Sequence, residues 1–190
     1  MPEEPEIDTD RVRESLHEAP AGALLRNIAL TTALLAALGA VAALRAGDTV
    51  NEALVLKTEA GRLQSEASDQ WAYYQAKGIK ANVQEASRSA WVAVGKTPPA
   101  TFEEAIQKYA SDQKTIEAAA REKERELDDK SKEADHLLEK HRKFANSVAL
   151  IQVSIALGAV AALTRNRPIW IGSMTLGALG AALFAVTLVR

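Results

Sequence analysis

The stretch Gly95-Lys96-Thr97-Pro98-Pro99-Ala100 decides the fold. Gly95 tolerates the left-handed conformation that closes a helix. Pro98 and Pro99 lack backbone N–H groups and push the residue before each of them out of the helical region. Helical periodicity runs up to this hexapeptide and resumes at Thr101, so the chain reverses here. The sequence then predicts two arms of equal length, with residue i facing roughly residue 195 − i. Position 47 meets position 148, and there the first apolar run ends and the second begins.

Both arms carry helical patterning. On the first, Ala53, Leu56, Ala60, Leu63, Ala67, Tyr74 and Ala81 follow alternating steps of three and four, with Gln70 and Lys77 filling the gaps. On the second, Phe102, Ile106, Tyr109, Gln113, Ile116, Ala120, Lys123, Leu127, Lys130, Ala134, Leu137, His141, Phe144 and Val148 keep a strict four-three alternation. Thr101 is placed to cap this second helix, with Glu103 and Glu104 in its first turn. Each arm is about 45 residues, hence about 65–70 Å of helix. The register sets Glu52 near Lys143 and Arg62 near Glu133, pairs whose signs agree with it.

The arms are rooted in apolar runs. Leu24 to Leu44 is apolar apart from Arg26, Asn27 and two threonines, and about 20 such residues span a bilayer. It exceeds the roughly 7–15-residue core of a cleaved signal peptide, so it is expected to stay. Arg26 and Arg45 stand at its ends, where long side chains reach the headgroups. Phe144 to Thr164 is the second run, interrupted by Asn146, Gln152 and Ser154. Arg165-Asn166-Arg167-Pro168 is a tight polar turn before the third run, Ile169 to Val189. Gly158 and Ala162, and Gly172, Ser173, Gly177, Gly180 and Ala181, include small residues four apart. They suit close helix packing, or are simply small residues of apolar helices.

The expected fold is therefore all-α: three transmembrane helices with a long antiparallel coiled-coil hairpin inserted between the first and second spans. Its parts are a flexible acidic tail (1–22), a first span (23–46), an extramembrane hairpin (47–146, turn at 95–100), a second span (147–164), a basic turn (165–168) and a third span (169–189). Composition agrees with a helical chain. The 190 residues are rich in alanine and poor in aromatics. There are no cysteines, which excludes a disulfide framework and thiolate metal sites. The net charge of −2 gives no basic bias toward nucleic acid. The mean hydropathy of −0.12 averages apolar ends with a charged middle.

Several motifs invite chemistry. Ala90 to Thr97 ends in the Gly-Lys-Thr of a phosphate loop, but that loop needs a helix starting at the Gly-Lys, and here two prolines follow. Glu133-Ala134-Asp135-His136 has the Glu-x-x-His spacing of di-iron bundles, but one chain supplies one copy, and a solvated face is the simpler reading of His136. His141 beside Lys140, Arg142 and Lys143 reads as a headgroup contact. His17 in the tail reads as solvated. Neither catalytic nor metal-binding residues are expected, nor a cofactor.

The unusual stretch is Ser68-Asp69-Gln70-Trp71-Ala72-Tyr73-Tyr74-Gln75. Adjacent helix positions lie about 100° apart, so its three aromatics cannot all face one seam. Some meet solvent or another chain, or local stems near Lys123 and Glu124 cover them. Trp71, Tyr73, Tyr74 and Trp91 are the interaction candidates.

Asn51-Glu52-Ala53-Leu54 followed by Ala67-Ser68-Asp69-Gln70-Trp71-Ala72-Tyr73-Tyr74-Gln75-Ala76-Lys77 resembles the signature of a bacterial membrane family, the domain of unknown function 4337. Leu150-Ile151-Gln152 with Leu163-Thr164-Arg165 is similar to that family's second span and basic turn. Gly78 stands where the resemblance leads one to expect serine, a departure expected to touch only helix stiffness. The resemblance implies three spans and a helical insert, and brings no activity, substrate or cofactor.

These readings lead to a structural or protein-interaction protein of a bacterial inner membrane, multi-pass, self-associating through its hairpin and without catalytic chemistry. A sensor-like or channel-like module is the alternative. The expected partners are the lipid bilayer, further copies of the chain and, on the hairpin, an unidentified protein, with no nucleic acid. Arg165 and Arg167 in the short turn, and Arg11, Arg13 and Arg26 before the first span, favour an inside N-terminus and a periplasmic or extracytoplasmic hairpin. Lys140, Arg142 and Lys143 oppose that orientation.

Overall fold

The structure is a computed structural model that describes residues 20–189, with side chains from residue 22. The acidic tail with His17 lies outside the described residues except at its C-terminal end. The described residues form three helices and no strand: α1 (Pro20–Ala93), α2 (Ala100–Thr164) and α3 (Arg167–Val189). Each helix holds a window long and apolar enough to cross a membrane. Of the residues in those windows only 17%, 28% and 22% are buried, so most of this apolar surface faces outward.

The two reversals have the same backbone chemistry. Gly95 takes φ +70° after α1. Its N–H donates to the Val92 carbonyl at 2.9 Å, and the Lys96 N–H donates to the Trp91 carbonyl at 3.1 Å. That pair of bonds is the Schellman closure that a glycine after the helix end permits. After α2, Arg165 takes φ 51° and the Asn166 N–H reaches back to the Ala161 carbonyl at 3.2 Å. Arginine in this conformation costs about 1–2 kcal/mol that glycine avoids. α2 resumes one residue earlier than expected, at Ala100, and the Pro99 carbonyl accepts from the Phe102 N–H at 3.2 Å. Thr101 therefore lies inside the first turn rather than at the cap.

The described residues fall into two compact units. One comprises the residues through Val50 together with those from Leu138. Here α1, α2 and α3 pack in layers. Leu24 and Ile28 meet Ala161, with Ile169 and Trp170 against them. Ala42 and Ala46 meet Phe144 and Phe184, with Leu38 and Val148 alongside. Between these layers the helices approach closely at small residues. A Cβ on Gly177 would stand 2.7 Å from Ser154 Oγ, and one on Gly158 would stand 2.8 Å from Thr32 Oγ1. Ser154 Oγ donates to the Ser173 carbonyl and Ser173 Oγ to the Ser154 carbonyl, both at 2.7 Å. The Trp170 indole donates to Thr31 Oγ1 at 3.3 Å. His141 donates from Nδ1 to the Ala46 carbonyl at 2.8 Å, so it ties α2 to α1 rather than only joining a headgroup cluster.

The other unit is Asn51–Leu137. Its buried line on α1 is Ala53, Leu56, Ala60, Leu63 and Ala67, and on α2 Ile116, Ala120 and Ala134. Every seam residue anticipated on α2 from Phe102 to Leu137 is buried or half-buried. As numbering rises on α1 it falls on α2: Lys57 pairs with Asp135, Glu59 with Lys130, Glu66 with Lys123, and Lys77 with Asp112. Two expected pairs form differently. Arg62 takes Glu66, and Lys143 takes Glu139, each one turn along its own helix. Neighbours at i+4 lie nearest on a helix surface and outcompete a longer reach.

Candidate interaction surface

The aromatic stretch lies in Asn51–Leu137, where the inner face of α1 changes character. Below it the seam is Leu56, Ala60, Leu63 and Ala67. From there the same four-three line continues through the half-buried Gln70, Tyr74, Lys77, Ala81, Gln84 and Arg88. Polar side chains inside a helix pair need partners, and the two charged ones have them: Arg88 pairs with Glu85 on its own helix, and Lys77 reaches across to α2. Lys77 Nζ bonds Asp112 Oδ2 at 2.8 Å and lies 5.1 Å from the Tyr73 ring centre and 5.5 Å from that of Tyr109. The ammonium thus sits on a carboxylate with two ring faces around it. The Asp112 carboxylate, and after it Tyr73, hold the Lys77 pKa above its ordinary value.

Six residues earlier on α1, the Trp71 indole donates to Glu124 Oε1 at 2.8 Å. Its ring meets Tyr74 edge-on at 5.6 Å, and the Arg121 guanidinium lies 5.9 Å from its centre. Gln113 Nε2 donates to the Tyr74 carbonyl at 3.3 Å. That bond depends on Gly78, where a Cβ would stand 2.8 Å from Gln113 Nε2. Gly78 therefore makes room for a cross-helix hydrogen bond, a role beyond the stiffness expected of it.

Four interaction candidates thus separate into two kinds. Trp71 and Tyr74 are half-buried and engaged within the unit. Tyr73 and Trp91 are 50% and 40% exposed. Glu133 and Asp135 are engaged by Lys130 and Lys57, and His136 is exposed. Gly95-Lys96-Thr97 follows the end of α1 instead of opening a helix, so its N–H groups close a turn.

A family described as Domain of unknown function (DUF4337) matches residues 24–190. The chain belongs to this family. No curated protein and no solved structure gave a match. Of the positions expected to carry the family's motif, Ala67 is buried, and Trp71, Tyr74 and Lys77 are half-buried. Asn51, Glu52, Ser68, Asp69 and Gln75 are exposed. The stretch that carries the resemblance to DUF4337 is thus a seam contact plus a flank that faces outward.

One feature of the surface escaped the sequence reading. Ala72, Ala76, Ile79, Val83, Ala86, Ala90 and Ala93 keep their own four-three alternation, offset by two residues from the inner seam. All are exposed, with Ile79 at 64% and Val83 at 56%. Tyr73 borders this second seam, and its other flanking positions are Gln75, Lys80, Asn82, Ser87, Ser89 and Val94. The signal was present in the spacing, but an inner seam assigned first left it as filler.

Proposed function

We propose that this chain is a membrane-anchored structural protein. Its three apolar helices cross the bilayer, and Asn51–Leu137 forms an antiparallel coiled-coil hairpin that binds a second copy. The carrying observation is the exposed apolar seam from Ala72 to Ala93. A water-facing helix with a sustained heptad of small and β-branched residues is built to pack against another helix. Copies held in one bilayer share one orientation, so each seam residue meets its own equivalent in parallel. The flanks then place no carboxylate against a carboxylate, and the one charge, Lys80, lies beside Gln75. No catalytic step belongs to this reading.

The full-length protein, solubilised in mild detergent, tests it by sedimentation. Ile79→Glu with Val83→Glu sets two carboxylates against their counterparts at exposed positions where the single chain has no packing to lose. The wild type is expected to run as dimers or larger species, and the double variant to keep its helicity but dissociate at concentrations where the wild type stays assembled. Equal resistance to dissociation on dilution in both proteins, or a monomeric wild type at high concentration, overturns the proposal.

The hairpin is proposed to lie outside the cytoplasm of a bacterium, on the balance of Arg165 and Arg167 against the basic residues before α2's apolar run. Because the chain has no cysteine, a single one at Ala100 reports the side cleanly. Labelling by an impermeant reagent in intact cells is expected. Labelling only after lysis reverses the orientation. A channel-like alternative gains no support from Asn146, Gln152 and Ser154, because Ser154 is buried while the other two are exposed.

A further inference from the structure

Between Lys143 and Arg165, α2 carries no charged residue. Its hydroxyls are answered within the chain. Ser147 donates to the Phe144 carbonyl, Ser154 to Ser173 and Thr164 to the Val160 carbonyl. Gln152 is different. It lies nine residues beyond Lys143, it is exposed, and among the described residues its carboxamide has no hydrogen-bond partner. Asn146 is also exposed, but it stands three residues from Lys143, within reach of headgroup water. At the depth of Gln152 an unanswered carboxamide facing hydrocarbon is costly.

The surroundings of Gln152 are shaped for another helix. Ala149, Gln152, Ala156, Ala159 and Leu163 recur at steps of three and four, and all are exposed. Three alanines let a neighbouring backbone come close, and a polar side chain among them supplies the directional bond. A carboxamide has both donor and acceptor, so it is its own complement. Two copies in the same orientation bring the same residue to the same depth.

We propose that this face of α2 is an intramembrane contact with a second copy, in which the two Gln152 carboxamides bond each other across the interface. The inference rests on the membrane reading above. It places a contact in the bilayer that is separate from the Ile79 and Val83 seam.

The test uses the full chain in its native membrane, with single cysteines at Ala149, Ala156 or Leu34. Leu34, 71% exposed on α1, is the control for an apolar outward face. Oxidation is expected to crosslink the first two into a species of twice the chain's mass, and to leave Leu34 uncrosslinked. Adding Gln152→Leu is expected to lower the crosslinked fraction about three- to thirtyfold, the range of one interhelical hydrogen bond in a membrane. Gln152→Asn retains the amide and most of the crosslink. Equal crosslinking at Leu34, indifference to Gln152→Leu, or a product of another mass overturns the inference. Carbonate extraction of the same membranes separates the two claims. Release of the wild-type chain overturns the membrane reading and this contact with it, whereas a retained chain whose crosslinks ignore Gln152 overturns this contact alone.

Discussion

Gly180→Val is expected to unfold the packed helices at markedly lower denaturant than the wild type, while Gly172→Val behaves as the wild type does. The two glycines lie on the same helix, two turns apart. A Cβ on Gly172 meets nothing within 4 Å. A Cβ on Gly180 would stand 2.8 Å from Ile151 Cγ1, 3.1 Å from Leu150 Cβ and 3.2 Å from the Ile151 backbone nitrogen. The last two atoms cannot rotate away, so α2 and α3 must move apart. Ile151 is fully buried and also lies 3.1 Å from where a Cβ on Gly39 of α1 would stand, so separating α2 from α3 disturbs α1 too. In lipid, helices gain little from hiding apolar surface, and their association rests on close packing and interhelical hydrogen bonds. Overpacking costs about 1–3 kcal/mol, and here it also strains the reciprocal Ser154–Ser173 bonds. The measurement is the unfolding midpoint in micelles by circular dichroism. Equal midpoints for the two variants would show that the helices are not packed through Gly180.

That contrast marks what the sequence could and could not convey. Gly95 was legible because its requirement is local: a left-handed residue followed by two prolines ends a helix whatever surrounds it. The α2 seam was legible because burial repeats every heptad, and no position needs its neighbour's identity. Gly172 and Gly180 look alike in sequence, since what separates them is how near another helix comes. Lys77 filled a gap in the apolar pattern, and only the convergence of Asp112, Tyr73 and Tyr109 turns it into a bonded centre. His141 sat among Lys140, Arg142 and Lys143, and its neighbours in sequence hid the Ala46 carbonyl that it bonds. Periodicity reports which face is inward, whereas pairing depends on the partner's register. That is why Arg62 was assigned to Glu133 and is found with Glu66.

Phe144→Ala is expected to be the most damaging truncation in the described chain, and to cost more than Ile151→Ala. Both side chains are essentially buried. Phe144 packs against Ala42 and Ala46 and meets Phe184 at 5.6 Å with the rings tilted by 51°. Its buried neighbours on α1, Ala42 and Ala46, are too short to reach into the space it leaves, so a cavity remains. Truncating a buried phenylalanine costs about 3–5 kcal/mol when the unfolded reference is water. On the proposed membrane reading that reference fits Phe144, which directly follows Arg142 and Lys143 and so sits where headgroups and water reach. Ile151 lies seven residues further along α2, about 10 Å deeper. On that reading its unfolded reference is lipid, so Ile151→Ala forfeits packing but little transfer energy. Unfolding midpoints of the two variants in the same micelles make the comparison, with Phe144→Leu as the volume-sparing control. A larger loss for Phe144→Ala, mostly restored by leucine, is the expected order. The reverse order would place Phe144 inside the hydrocarbon and shift the start of the second span toward Lys143.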